Sequence, residues 1–118
     1  LQTDDGSGGL TDYVQCDGST GEVRLYHYGS EKLNTTSTGI TVTGDILPEA
    51  NGTRDLGATG TRWANLYTSD LDLSNEAKGG NDVDGTWGAY TIQEGENDLF
   101  LLNKRNGKTY KFVLQEVN

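Results

Sequence analysis

The chain has 118 residues, of which only 32% are hydrophobic, and a formal net charge of −9. That length makes one small domain or two very small ones, and an apolar share this low leaves little to bury in a single copy, because small domains already bury a smaller fraction of their surface than large ones. The acidity argues against a nucleic-acid partner, which needs a basic surface, and no apolar run approaches the ~20 residues of a membrane span, so no membrane insertion is expected.

Two states fit such a composition: a largely disordered chain, or one whose missing core is supplied by other copies of itself. Aromatic and β-branched residues recur in regular short runs, which favours the second. Residues 1–10 (LQTDDGSGGL) read as a linker, and residues 1–20 together as that linker plus a first short strand over 12–16. The chain begins at Leu1 without Met, as expected of a processed product or the ordered end of something longer, with no signal peptide remaining. Asp17-Gly18 and Gly21 mark a turn. Residues 22–28 (EVRLYHY) form a strand with Val23, Leu25 and His27 on one face and Arg24, Tyr26 and Tyr28 on the other. Gly29-Ser30 turns the chain, 32–36 returns, and 40–46 (ITVTGDI) is a further strand with Ile40 and Val42 on one face.

Residues 47–62 make a long polar, Gly-rich connection. Such a stretch is uncommon inside a compact domain and suits chains that wrap a common axis. Trp63, Leu66 and Tyr67 have the i, i+3, i+4 spacing of one helical turn. Residues 68–74 follow as a strand, with Leu71 and Leu73 on one face and Asp70 and Asp72 on the other. These runs define a shaft module over 21–75, in which Leu25, Ile40, Val42, Trp63, Leu66, Tyr67, Leu71 and Leu73 are expected to form chain–chain contacts. A second linker then separates a C-terminal unit, 76–118. Its strands are 86–93, 99–104 and 108–117, the last two meeting at Asn106-Gly107, a strong hairpin signal. A two-residue loop there sets Asn103 opposite Tyr110, Leu101 opposite Phe112 and Leu99 opposite Leu114. The other face carries Phe100, Leu102 and Val113, so both faces need covering. Trp87, Tyr90 and Ile92 are expected to supply one cover and to share a core with Phe100, Leu102, Phe112 and Leu114. A neighbouring copy supplies the other.

Residues 21–44 (GEVRLYHYGSEKLNTTSTGITVTG) resemble a module of marine bacteriophage tail fibres, especially those of cyanobacterial phages. The pattern LYY-x-G-x-x-K-L-x-T-T-x-x-G-x-x-V-x-G falls on Leu25, Tyr26, Tyr28, Gly29, Lys32, Leu33, Thr35, Thr36, Gly39, Val42 and Gly44, with His27 where a tyrosine often stands. Residues 55–74 resemble the DLG…RW-x-x-LY segment that often follows it, and residues 81–117 a small terminal domain of the same proteins. The resemblance covers about 85% of the chain. In many relatives a self-cleaving chaperone domain follows RW-x-x-LY; here residues 81–117 follow instead, so the expectation is either that such a domain was never encoded or that the terminal unit replaces it. The resemblance implies an all-β, elongated, parallel homotrimer with interchain strand pairing in the shaft and a small C-terminal β domain containing a hairpin. It further implies a virion location, and contacts with other tail proteins through a region upstream of this chain. Assembly is physically sensible, because pairing strands between chains removes exposed edges.

No constellation of catalytic or metal-binding residues is legible. His27, the only histidine, sits mid-strand between tyrosines and reads as an aromatic-like shaft residue. Three copies on a trimer axis would make an ion site there only if the axis ran through it. Cys16 is the only cysteine, so no intrachain disulfide forms, and it reads as a small half-buried apolar residue. Residues 81–85 echo a calcium loop, but Gly80 and Thr91 stand where an EF-hand needs an acid and a glutamate. A looser site from Asp82, Asp84 and Glu94 competes with an ordinary polar turn. The pairs Asp4-Asp5, Asp70/Asp72 and Glu94/Glu96 lack the cleft that glycosidase carboxylates need. Lys104, Arg105, Lys108 and Lys111 read either as lysine protection of a strand edge or as a basic tip for anionic surface sugars.

The expected function is therefore structural and adhesive, without a cofactor: a fibre whose distal tip meets a host surface polysaccharide or outer-membrane receptor. The candidate contacts are the Glu94, Glu96, Asn97 turn and the turn carrying Lys104, Arg105 and Lys108. The alternatives are a secreted bacterial carbohydrate-binding module and a neck or head fibre of the virion; an enzyme such as a depolymerase fits least.

Overall fold

The computed structural model describes all residues, Leu1–Asn118. The chain is all-β and divides into two units, Leu1–Leu47 and Pro48–Asn118.

In the first unit, β1 (Gln2–Asp4) and β2 (Leu10–Asp12) pair antiparallel. These residues were expected to be a linker. They close a hairpin because the Asp5 carboxylate accepts from the backbone N–H groups of Ser7 and Gly9 at 2.7 and 2.9 Å, fixing a tight turn of the Asx kind. Three-residue strands are too short for periodicity to reveal. Next come β3 (Val14–Asp17), β4 (Glu22–His27), β5 (Ser30–Thr35) and β6 (Ile40–Val42), an antiparallel sheet in plain sequence order. Asp17 ties the first turn by accepting from the backbone N–H and hydroxyl of Ser19. Between β4 and β5 only Tyr28 and Gly29 intervene, with φ of 46° and 75°. Positive φ at both loop positions is what a two-residue hairpin turn requires. Tyr28 accepts that strained conformation while its ring packs edge-on to Tyr13 and His27. The strand expected over 40–46 ends at Val42, ahead of Gly44 with φ of 120°.

The second unit holds one sheet in the order β7 (Leu71–Ser74), β8 (Ala89–Glu94), β9 (Leu99–Asn103), β10 (Thr109–Lys111), again a meander. The expected boundary between 75 and 76 falls inside this unit, because β7 pairs with β8 over Leu71–Ile92 to Ser74–Ala89. Residues 75–88 are thus the β7–β8 connection rather than an interdomain linker. The Asn75 side-chain oxygen accepts from Gly88 N at 2.7 Å, and Gly80, with φ of 126°, lies where a Cβ would meet Gly85 O at 2.4 Å. The final hairpin has a four-residue loop, 104–107, closed by Asn103 N donating to Lys108 O. Tyr110 therefore faces Leu101, and Thr109 faces Leu102. The register expected from a two-residue loop is displaced by two residues, which keeps each side chain on its expected face. The Asn103 carboxamide oxygen accepts from the N–H groups of Arg105 and Asn106 and stabilises the longer loop. Strand β10 ends at Lys111; Phe112 N still donates to Leu99 O, so Phe112 stands at the end of the sheet and Leu114 beyond it.

Residues 48–70 contain one isolated bridge, Ala58 to Thr61, and no helical turn at Trp63. One turn fixes several dihedrals for a single hydrogen bond and cannot hold itself; Trp63 is 68% and Tyr67 91% exposed, so nothing in this chain holds it either.

Neither sheet is covered. No apolar side chain in the chain is buried, and the only buried residue is Thr91, at 7% exposure. The accessible surface is 10,000 Å². A compact monomer of 12.7 kDa exposes about 6,200 Å², and two separate compact units sharing that mass about 7,400 Å². The excess belongs to the units themselves, whatever their arrangement.

Candidate functional sites

The first candidate is the bare face of the first sheet. Directly opposed residues of antiparallel strands share a face. Val14 opposes Leu25, Leu25 opposes Leu33, and Leu33 opposes Val42, a continuous apolar row across four strands. Cys16 opposite Val23, and Ile40 opposite Thr35, extend it. The reverse face carries Gln15, Glu22, Arg24, Tyr26, Asn34 and Thr41. Along β4 burial alternates, but inverted with respect to a solvated monomer: Glu22, Arg24 and Tyr26 are half-buried, and Val23, Leu25 and His27 are exposed. The polar face shields itself: Arg24 is ion-paired to Glu22 and lies 3.7 Å from Glu31, and its guanidinium is held protonated more firmly than usual, chiefly by the Glu22 hydrogen bond. Tyr26 donates to Gln15 at 2.8 Å. The apolar row has nothing above it, and Leu25 is 41% exposed at its middle.

The second sheet repeats the arrangement. Leu71, Ile92, Leu101 and Tyr110 oppose one another in turn across all four strands, and Leu73 and Tyr90 form the next row. The other face bears Asp72, Thr91, Gln93, Phe100, Leu102 and Lys111. Tyr90 and Ile92 were expected to cover the final hairpin. They instead extend its sheet sideways, because β8 satisfies its backbone groups along the open edge of β9. The residues expected to form one core are consequently divided: Tyr90 and Ile92 on one face, Phe100 and Leu102 on the other, Phe112 at the sheet's end where its N–H donates to Leu99 O, Leu114 past the sheet, and Trp87 before β8.

Of the residues expected in chain–chain contacts, Leu25 and Val42 share the first row, with Ile40 beside it. Leu71 and Leu73 share a face of the second sheet, and Trp63, Leu66 and Tyr67 belong to neither sheet. Trp63 rests on Gly57, whose φ is 86°.

The two turns expected to contact a receptor stand at opposite ends of β9. Glu94, Glu96 and Asn97 lie at the β8–β9 turn, closed by Gly95 N donating to Asp98 O. Lys104, Arg105 and Lys108 lie around the β9–β10 loop. Most of the basic groups are engaged inside the unit. Lys104 Nζ is 2.5 Å from Asp72 Oδ2 and Lys111 Nζ 3.2 Å from Asp98 Oδ1. The Arg105 guanidinium stacks 3.8 Å above the Trp87 ring and donates to Trp87 O at 2.9 Å. The Lys104 ammonium, with the Thr91 hydroxyl, holds the Asp72 carboxyl below the usual aspartate range.

Trp87 borders an open hollow of about 520 Å³, lined also by Leu73, Asn75, Lys78, Asp84 and Tyr90. The connection after β7 shapes it. Asn81 donates to Asp84 Oδ1 and Thr86 O, and its own oxygen accepts from the N–H groups of Val83 and Asp84. Asp84 Oδ1 also accepts from the N–H and hydroxyl of Thr86, and these donors, the Thr86 N–H first, keep the carboxyl below its usual range. The sequence suggests a linker for Asn75, Lys78, Asn81 and Asp84, and a strand for Thr86, Trp87 and Tyr90. The signal that would have found them is Trp87 following an Asn/Asp-rich turn. Compared with known protein families, curated proteins and solved structures, the chain matches none.

Proposed function

We propose that this chain is a non-enzymatic module of a homotrimeric bacteriophage fibre, forming part of the shaft and its distal tip, and that it attaches the virion to a host surface. The observation that carries this reading is the pair of apolar sheet faces left without a covering layer. An antiparallel sheet commonly packs one face and solvates the other; here neither face is packed, and the apolar face stands open to water in both units. Contiguous apolar surface of this kind marks an interaction site, and another copy of the chain is the partner this reading places on it. A face-to-face pair would also cover it; the resemblance of residues 21–44 and 55–74 to trimeric fibre modules selects three copies.

Sedimentation velocity of the purified chain tests the reading. The expected species is about 38 kDa, three times the chain mass of 12.7 kDa. A folded monomer refutes the fibre and favours a monomeric binding module; a dimer refutes threefold assembly.

A further inference from the structure

We propose that the hollow beside Trp87 is a saccharide-binding site, which places the adhesive function of the C-terminal unit there and rests on that adhesive reading. The groups that build the β7–β8 connection do not account for all the polarity around the hollow. Asn75 spends its oxygen on Gly88 N, and Asp84 spends Oδ1 on Asn81 and Thr86. Asn75 Nδ2, Lys78 Nζ and Asp84 Oδ2 have no partner in the fold. They give two donors and one acceptor, and one positive and one negative charge, around a single hollow. A ligand that is neutral and both donates and accepts hydrogen bonds matches that set; a sugar diol does so with adjacent hydroxyls.

The apolar side of the hollow supplies the second half of sugar recognition. Trp87, Tyr90 and Leu73 line it. A pyranose presents a face of C–H bonds whose hydrogens are weakly positive, and an aromatic ring presents a negative face. Arg105, which stacks on Trp87, lines an adjoining hollow with Asn103 that shares Trp87 and Tyr90 with this one, and Arg105 itself does not line the proposed site. The volume lies within the ~300–1,000 Å³ usual for small-molecule sites. A neighbouring copy packed over the row of Leu71, Ile92, Leu101 and Tyr110 leaves Leu73 and Tyr90 open to the hollow, and it has reason to stop short of Asn75, Lys78 and Asp84, because covering unpaired polar groups costs free energy. The hollow therefore sits at the margin of the assembled surface, where a glycan chain has access.

Saturation-transfer NMR on the full chain, titrated with methyl α-mannoside, methyl β-galactoside and N-acetylglucosamine, tests the site. At least one of these is expected to bind saturably with a millimolar dissociation constant, its ring C–H protons receiving the strongest transfer. Asp84→Asn keeps the acceptor that the loop needs and replaces Oδ2 by a donor; Asn75→Asp keeps the acceptor for Gly88 and removes the donor. Each is expected to weaken binding at least about fivefold, while Thr41→Ala in the first unit leaves it unchanged. No saturable binding by any of the three sugars, or unchanged binding in both hollow variants, overturns the proposal. Sedimentation velocity of the same samples separates the two readings: a trimer that binds no sugar refutes this site and spares the fibre, and a monomer that binds sugar refutes the fibre and spares the site.

Discussion

Leu25→Ala probes the assembly where the first sheet is most apolar. Leu25 stands between Val14 and Leu33 on the uncovered face and retains 41% exposure in one chain. Burying a leucine completely contributes about 1.5–3 kcal/mol, so covering the remaining two-fifths contributes about 0.6–1.2 kcal/mol per chain. Three equivalent sites give about 2–4 kcal/mol per trimer, or a dissociation constant raised about 30- to 700-fold at 1.4 kcal/mol per decade. Cavities left beneath the neighbouring copies add to this. Sedimentation equilibrium over a concentration series reads the shift directly, and melting temperature should depend on concentration more steeply in the variant. Thr41→Ala, on the reverse face of β6, is the control and should change stability by less than about 0.5 kcal/mol. Equal dissociation constants for Leu25→Ala and Thr41→Ala would show that this face meets no other chain, and the assembly argument would fail with it.

Replacing Gly57 by Ala puts a side chain at φ of 86° with its Cβ 3.1 Å from Thr61 O. It should lower stability by about 1 kcal/mol or more, whereas Gly60→Ala, with open space around it, should not; calorimetry of the two variants compares them. The Asp72 carboxyl is held below its ordinary value of 3.8 by Lys104 and then Thr91. Its contribution is therefore complete above that value and disappears as pH falls through the folded-state value. Melting temperature should drop on acidification below about pH 4, and less so in Asp72→Asn. Arg105→Ala removes the stack on Trp87 and the bond to its carbonyl, an expected loss of about 1 kcal/mol, read by chemical denaturation; an unchanged midpoint would mean the stack contributes nothing.

Legibility differed between local and non-local features. The strand expected at residues 22–28 was readable because six alternating residues end at Gly29, and its expected faces match the observed ones up to His27, Tyr28 entering the turn instead. The hairpin at 106–107 was also readable, but its register was not. Whether two or four residues close that loop depends on the Asn103 side chain accepting from Arg105 and Asn106, which spacing does not show. The turn at Trp63 failed for a different reason. Its i, i+3, i+4 pattern describes a helix face that needs a surface to lie on, and one chain provides none.

By itself, the sequence determined the β class, the alternation along each longer strand, and the shortage of core. Period-two patterning, Gly-punctuated turns and a low apolar fraction are local or summed properties of the chain. The tertiary structure alone decided which strands are neighbours, and hence that β7 joins the C-terminal sheet and that Tyr90 and Ile92 widen it instead of capping it. It also decided that the connection at 75–88 folds into a polar hollow against Trp87. These depend on which backbone edges lie open once the hairpins have formed, and on hydrogen bonds such as that from Gly88 to Asn75, 13 residues apart, which no periodicity encodes.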